Sequence, residues 1–450
     1  MWGPRADLWG EAMQHNHVSV STVVRTVVTM CLALVLMPGG AASARESQQA
    51  RVRAAVVDPV LVDRAAAAGV LRTERTWSTD AVDYNNDGRD DILNVFHQWT
   101  DTYLYRNNGN GTFTNSFKIP RVNAQRGILD RHDCAWYDVD GNGLLDAYCS
   151  GGRNQENYVK TAVKDNELWL QLTPGQFTDR GTEWGVGDAC GRGRMVAWVD
   201  VDNDGWKDLV VGNQAERSDP DDPCNVAANG YLPEGTKVYL NNRGAGLAYA
   251  AAWSSFRPNM GTRCLVPVDY NHDGRIDLIG CTFRNNVALA YRNTGSGFVD
   301  VTSTLNLGKL ADAAVADLNG DGIDDLVLAD VNGATYRRGT ATGFASAVRI
   351  FTAPGSADGF SLAIGDIQGD GLPDIYVVTD STTSTTNPPD RLLVNHGAFS
   401  FVALTPPNTT SGMGDDVAAV DVMGNGVDQF LVLNGADTNN GPVQLIAAAP

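Results

Sequence analysis

Histidine is scarce in this chain: there are six among 450 residues, and two of them, His15 and His17, fall near the start. Basic residues are in deficit too, with 34 Lys and Arg against 53 Asp and Glu, a formal charge of −19. A chain this acidic is poorly suited to neutralise a phosphate backbone or to lie on an anionic membrane, so no nucleic acid partner is expected. Beyond residue 44 no apolar run approaches the roughly 18 residues that a membrane helix needs. Helical spacing of apolar residues is rare. HExxH, G-x-S-x-G, P-loop and dinucleotide signatures are all missing. What the chain has instead is glycine, 48 residues, and 43% hydrophobics. That is the mixture of an all-β chain with many turns.

One stretch organises the rest. DVDNDGWKD runs from Asp200 to Asp208 and places carboxylates at its first, third, fifth and ninth positions: Asp200, Asp202, Asp204 and Asp208. Gly205 holds the sixth position, where a sharp turn favours a residue without Cβ. Carboxylates this close repel unless a cation sits among them. Alternating oxygens plus the carbonyl of Trp206 at the seventh position suit Ca²⁺ before Mg²⁺. An EF-hand needs a Glu at position twelve and flanking helices; here that position is Val211, and MVAWV and LVVG on either side read as two strands.

The stretch recurs six more times, with first aspartates at Asp83, Asp138, Asp269, Asp317, Asp366 and Asp421, spaced 48 to 69 residues apart when Asp200 is included. Propeller blades repeat at about 40–50 residues plus insertions. After each of the first six loops comes a second signature, such as TYLYRNNGNGTF (102–113), KVYLNNRGAGL (237–247) or ALAYRNTGSGF (288–298), which reads as a strand, an Asn/Gly turn and a strand opening on an aromatic residue. Four strands per unit and seven units predict a seven-bladed β-propeller over residues 59–450. PVQLIAAAP (442–450) leaves the last blade one strand short, and PVLVDRAAAAGV (59–70) is expected to complete it.

The loop and the aromatic–Gly signature resemble FG-GAP/VCBS repeats, the units of the integrin α-chain propeller. The wider pattern is most similar to the FG-GAP proteins related to cartilage acidic protein. This resemblance implies the propeller fold and calcium. It does not imply one function, because such repeats occur in adhesins, lectin-like modules and polysaccharide lyases.

Five loops keep an oxygen ligand at every side-chain position. Their expected ligands, with the seventh-position carbonyl named fourth in each set, are Asp83, Asn85, Asp87, Arg89 and Asp91; Asp138, Asp140, Asn142, Leu144 and Asp146; Asp200, Asp202, Asp204, Trp206 and Asp208; Asp269, Asn271, Asp273, Arg275 and Asp277; and Asp317, Asn319, Asp321, Ile323 and Asp325. The sixth loop (Asp366, Gln368, Asp370, Leu372, Asp374) carries Gln at its third position and is expected to bind more weakly. The seventh has Met423 there and Gln429 at the ninth, and is expected to be metal-free or marginal. The alternative is a set of Asx-turns without ions.

Residues 1–44 read as a signal peptide: an apolar core follows Arg25, and Ala42-Ser43-Ala44 is an A-x-A cleavage site. Residues 45–58 read as a flexible lead-in. The mature chain would be secreted and monomeric. Six of its cysteines then face an oxidising compartment. Cys134 and Cys149 flank the second loop and Cys264 and Cys281 the fourth, which leaves Cys190 for Cys224.

In a propeller the calcium hairpins share one face. The longest insertions (150–166, 212–235, 379–390) follow second strands and open on the other. Long loops on a rigid scaffold are where binding concentrates. Blade connections there carry Arg126, Arg131, Arg192 and Arg194, a basic rim suited to an anionic ligand such as an acidic polysaccharide. Pairing of these arginines with nearby carboxylates is the plainer reading. Trp184 and Trp253 are the best candidates for sugar stacking, although core positions suit them better. The expected function is an extracellular binding or adhesion module for glycans or proteins. The alternative is a carbohydrate lyase or hydrolase, with His132, between Arg131 and Asp133, as its only candidate base.

Overall fold

The computed structural model describes residues 57–96, 100–120, 122–123, 127–128, 130–152, 166–188, 191–214, 235–282, 287–330, 332–353, 358–380, 389–407, 414–435 and 440–450. The leader 1–44, most of the lead-in, Cys190, Cys224 and Arg126 lie outside them.

The chain forms a propeller of seven four-stranded antiparallel blades. The innermost strands, in chain order, are Thr76–Val82, Asp130–Tyr137, Gly193–Val199, Cys264–Val268, Asp312–Ala316, Asp358–Gly365 and Asp416–Val420. Each packs on the next, and the seventh packs on the first.

No single core holds the molecule. Seven apolar clusters each sit between two neighbouring blades. Alternate side chains of a strand point to opposite faces, so one strand serves two clusters. Val196 and Trp198 pack with blade two; Ala197 and Val199 pack with blade four. Burial on both faces explains why the strands read as unbroken apolar runs.

Blade seven is built from both ends of the described chain. Leu61–Asp63 pairs antiparallel with Gly441–Ala448, Leu61 opposite Ala448 and Asp63 opposite Ile446. Asp63 Oδ1 accepts hydrogen bonds from the backbone N–H of Ala65 and of Leu445. The following alanines form a one-turn helix, Ala65–Ala68, that ends at Gly69 with φ 78°.

Two disulfides, Cys134–Cys149 and Cys264–Cys281, join residues directly opposite each other on the first two strands of blades two and four. Among the described residues no helix is long and apolar enough to cross a membrane.

Blade five departs from the repeat. Its outer strand is Val348–Thr352 and does not open on Phe344, because Gly339–Thr340 and Gly343–Phe344 pair with each other as a separate small ladder.

Candidate metal centres and the opposite face

The seven acidic loops share one backbone design. The first Asp of each accepts from the N–H of the fifth residue through Oδ1 and of the sixth through Oδ2, at 2.6–3.1 Å. The fifth side chain accepts from the seventh N–H in all seven. Two residues per loop stand at positive φ. The sixth is always Gly, from Gly274 at 81° to Gly205 at 93°. The fourth is Asn86, Gly141, Asn203, His272, Gly320, Gly369 or Gly424. This second left-handed position was legible as a run of Asn, Gly and His, residues that tolerate or are enriched in that conformation.

The ninth aspartates are the buried members. Asp91, Asp146, Asp208, Asp277, Asp325 and Asp374 each accept a backbone N–H from the end of the third strand at 2.6–2.8 Å. Burial is the first cause that raises them: Asp91, Asp146 and Asp374 to about 8, Asp208 and Asp277 to about 7, and Asp325 to about 6. The neighbouring loop carboxylates push the same way. An adjacent cation would reverse this by favouring the ionised form.

Two observations fit the loops to a cation. In loops two and three, ligand atoms of Asp138, Asp140 and Asp146, and of Asp200, Asp202 and Asp208, lie within 4.8 Å of one another, and each group could hold a metal ion. Oxygens that ligate Ca²⁺ at about 2.3–2.6 Å fall within that span. In addition, buried side-chain oxygens without a hydrogen-bond partner occur at ligand positions of loops one, four and six: Asn85 Oδ1, Asp277 Oδ2 and Gln368 Oε1; Gln429 Oε1 in loop seven is also unpaired but has no oxygen-bearing partner at Met423. A buried acceptor left unpaired is costly, and a cation among the loop oxygens would satisfy it. Loop seven keeps the backbone design, but Met423 is 49% exposed and brings no oxygen.

Of the four arginines expected to form a basic rim, Arg131 and Arg194 are enclosed, Arg192 is half-buried and Arg126 lies outside the described residues. Arg131 is 3% exposed and clamps Glu167 through Nε and Nη2, at 2.5 and 3.1 Å. Arg194, 6% exposed, donates to Gln214 Oε1 from Nε and Nη2 and lies over the Trp77 ring. Both arginines fill space between blades, where a planar guanidinium satisfies buried acceptors. Nearby exposed cations are paired as well, Lys118 with Asp101 and Arg257 with Asp300. His132 is 1% exposed, stacks on Trp77 and contacts the Gly193 carbonyl at 2.8 Å and Arg194 at 3.1 Å. It offers no base to a substrate. Trp253 is buried and Trp184 packs against a core cluster, so neither is a free stacking platform.

Three features were not read from the sequence. Asp133, Asp312 and Asp416 on the innermost strands each accept a backbone N–H from the next blade's innermost strand: Val196, Leu362 and Thr79. Each stands five residues before its loop, a signal that was present. Lys237 and Asp188 form a fully enclosed ion pair, 2.7 Å apart. In five of the blades an amide at the end of the third strand ties the blade to the preceding loop.

Among known proteins, the model of the FG-GAP-like repeat matches residues 83–149, 138–211, 269–328 and 317–377. No curated protein matches the chain significantly. Similar solved structures include an Agrocybe aegerita lectin described for recognition of non-reducing terminal N-acetylglucosamine (18% identity, TM-score 0.47, covering 76% of this chain and 83% of that one). YCF48 from Cyanidioschyzon merolae is another (9%, TM-score 0.48, 84% and 98%). A third is BBS1N in complex with ARL6DN (11%, TM-score 0.43, 83% and 93%). The matched repeats span more than half of the sequence and fall on the blades that carry the acidic loops, and so the chain belongs to the FG-GAP-like repeat family.

Proposed function

We propose that the chain is a secreted, calcium-stabilised propeller that serves as an extracellular binding module for a glycan or a protein. Its ligand face is the end opposite the metal loops. The observation that carries the calcium part is the clustering of three carboxylates within 4.8 Å in each of loops two and three, supported by the partnerless buried oxygens of Asn85 and Asp277 in loops one and four. Five Ca²⁺ sites are proposed, in loops one to five, with a weaker sixth. Residues 1–44 would be removed on export, the two disulfides suit that compartment, and the mature chain would act as a monomer.

Topology supports that face: in blades two, three and six the second strand ends, and the third begins, away from the metal loops, and blades two and three are adjacent. With Arg131 and Arg194 enclosed, an acidic ligand has no special claim. With His132 enclosed, the catalytic alternative loses its candidate base.

The test is a panel of glycans and polysaccharides probed with the mature protein in millimolar Ca²⁺ and in EGTA. Binding that EGTA abolishes supports a calcium-dependent glycan module. An absence of glycan binding by a protein whose melting still responds to Ca²⁺ moves the ligand to the protein class. A melting temperature indifferent to Ca²⁺ overturns the calcium reading.

A further inference from the structure

At the end of the third strand an amide side chain reaches across to the preceding blade. Asn107, Gln171, Asn241, Asn293 and Asn395 each donate from the amide nitrogen to two carbonyls. One belongs to the eighth residue of its own loop. The other belongs to the second residue of the preceding loop: Val422, Tyr84, Val139, Val201 or Leu318, at 2.8–3.2 Å. In three of those loops the N–H of that second residue donates to the ninth-position Asp. In those loops an unbroken run of hydrogen bonds leads from one loop's buried carboxylate to the next loop.

Separate contacts run along the same belt. The fourth residue of one loop meets the sixth or seventh of the next. Asn86 Nδ2 donates to the Gly143 carbonyl and Asn203 Nδ2 to that of Gly274. The Trp206, Val427 and Arg89 side chains lie against Gly141, Gly369 and Gly424 so closely that a Cβ there would stand 2.6–3.3 Å away. Loops six and seven are joined by Asp366 and Asp428, each donating its N–H to the other residue.

One boundary differs. Blade five has Gly339 where five of the other blades have the amide, and a Cβ there would stand 2.2 Å from the Asp324 carbonyl. Among the described residues no hydrogen bond joins loop four to blade five; Tyr270 stacks on Phe344 instead.

We infer that the loops are coupled into one open arc, running five-six-seven-one-two-three-four, with a seam between blades four and five. This rests on the calcium reading above. An ion that orders one loop fixes the carbonyl its neighbour's amide must meet, so occupancy at one loop tightens the next across a latched boundary and not across the seam.

Loop four is the place to test it, because it has a latched neighbour in loop three and an unlatched one in loop five. The readout is hydrogen–deuterium exchange of the peptide covering 269–277 across a Ca²⁺ titration of the mature protein. Asp200→Ala, which disables loop three, should move the loop-four midpoint to about three- to tenfold higher Ca²⁺, the range expected for one hydrogen-bonded link. Asp317→Ala, which disables loop five, should leave it in place. Asn293→Ala combined with Asn203→Gly should remove the response to Asp200→Ala while loop four still binds Ca²⁺. Asn293→Gln should keep it, since Gln171 does the same work in blade two. Equal responses to Asp200→Ala and Asp317→Ala, or none to either, would overturn the arc even if the Asn293 variants fail to fold. If no loop's exchange depends on Ca²⁺, the calcium reading falls with it, and the two failures are told apart.

Discussion

Asp416 in the last blade accepts a hydrogen bond from the backbone N–H of Thr79 in the first, at 2.9 Å and across 337 positions of chain. Its other oxygen accepts from Ser361 Oγ at 2.8 Å. One carboxylate thus ties blades six, seven and one at the centre of the ring. Asp416→Ala leaves the Thr79 N–H and the Ser361 hydroxyl without that partner, and should lower stability by about 1–3 kcal/mol. Urea denaturation of the mature protein checks this. An unchanged midpoint would mean that water replaces the carboxylate at no cost.

The pH dependence follows from the same region. Burial, the first cause in each case, raises Asp312 and Asp390 to about 7 and Asp416 to about 6. An unfolded Asp titrates near 3.9. Between these values the folded state binds more protons than the unfolded, so stability is greatest below about pH 4 to 5 and falls as pH rises through 6 to 7. In EGTA the melting temperature should therefore drop between pH 5 and pH 8, and Asp312→Asn should flatten the slope. A rise over that interval would contradict the burial argument.

Calcium should stabilise loop by loop. At affinities of roughly 10⁻⁴–10⁻³ M, 1 mM Ca²⁺ adds about 0.4–1.4 kcal/mol per occupied loop. Asp202→Ala should remove one such increment from the difference between Ca²⁺ and EGTA. Asp421→Ala in loop seven should lower stability equally in both buffers, because that Asp braces its loop backbone and the loop has Met423 in place of an oxygen ligand. Differential scanning calorimetry separates the two outcomes.

The disulfides join cysteines 15 and 17 positions apart across their hairpins. Replacing Cys134 and Cys149 together by Ser should cost about 2–4 kcal/mol. Peptide mapping without reduction should find Cys134 with Cys149 and Cys264 with Cys281. Free thiols at these four positions would remove that contribution from the account.

Among the described residues, Lys237 and Asp188 form the most enclosed ion pair, with side chains 1% exposed. Asn213 Nδ2 also donates to the Asp. Lys237→Met alone strands a buried carboxylate and should cost about 3–5 kcal/mol. Adding Asp188→Asn should recover part of it, since Asn tolerates the positive φ of 46° at that site. Denaturation midpoints of the single and double variants give the comparison.

Local chemistry was enough for much of this molecule. The spacing of Asp200, Asp202, Asp204, Gly205 and Asp208, repeated along the chain, set the loops, the hairpins that carry them and the number of blades. Within a loop, the carboxylate of the first Asp accepts from N–H groups four and five residues away, so the sequence alone determined that brace. The two described disulfides were legible for the same reason, each pair flanking one hairpin. Relations between blades were decided only in the tertiary structure. Arg131 and Arg194 read as surface cations because Glu167 and Gln214, which enclose them, are 36 and 20 positions away. Asn293 reads as a turn residue, and the Val201 carbonyl that gives it a second role is 92 positions distant. Burial and pairing depend on which strands the ring brings side by side, and that is set by packing the blades as a whole.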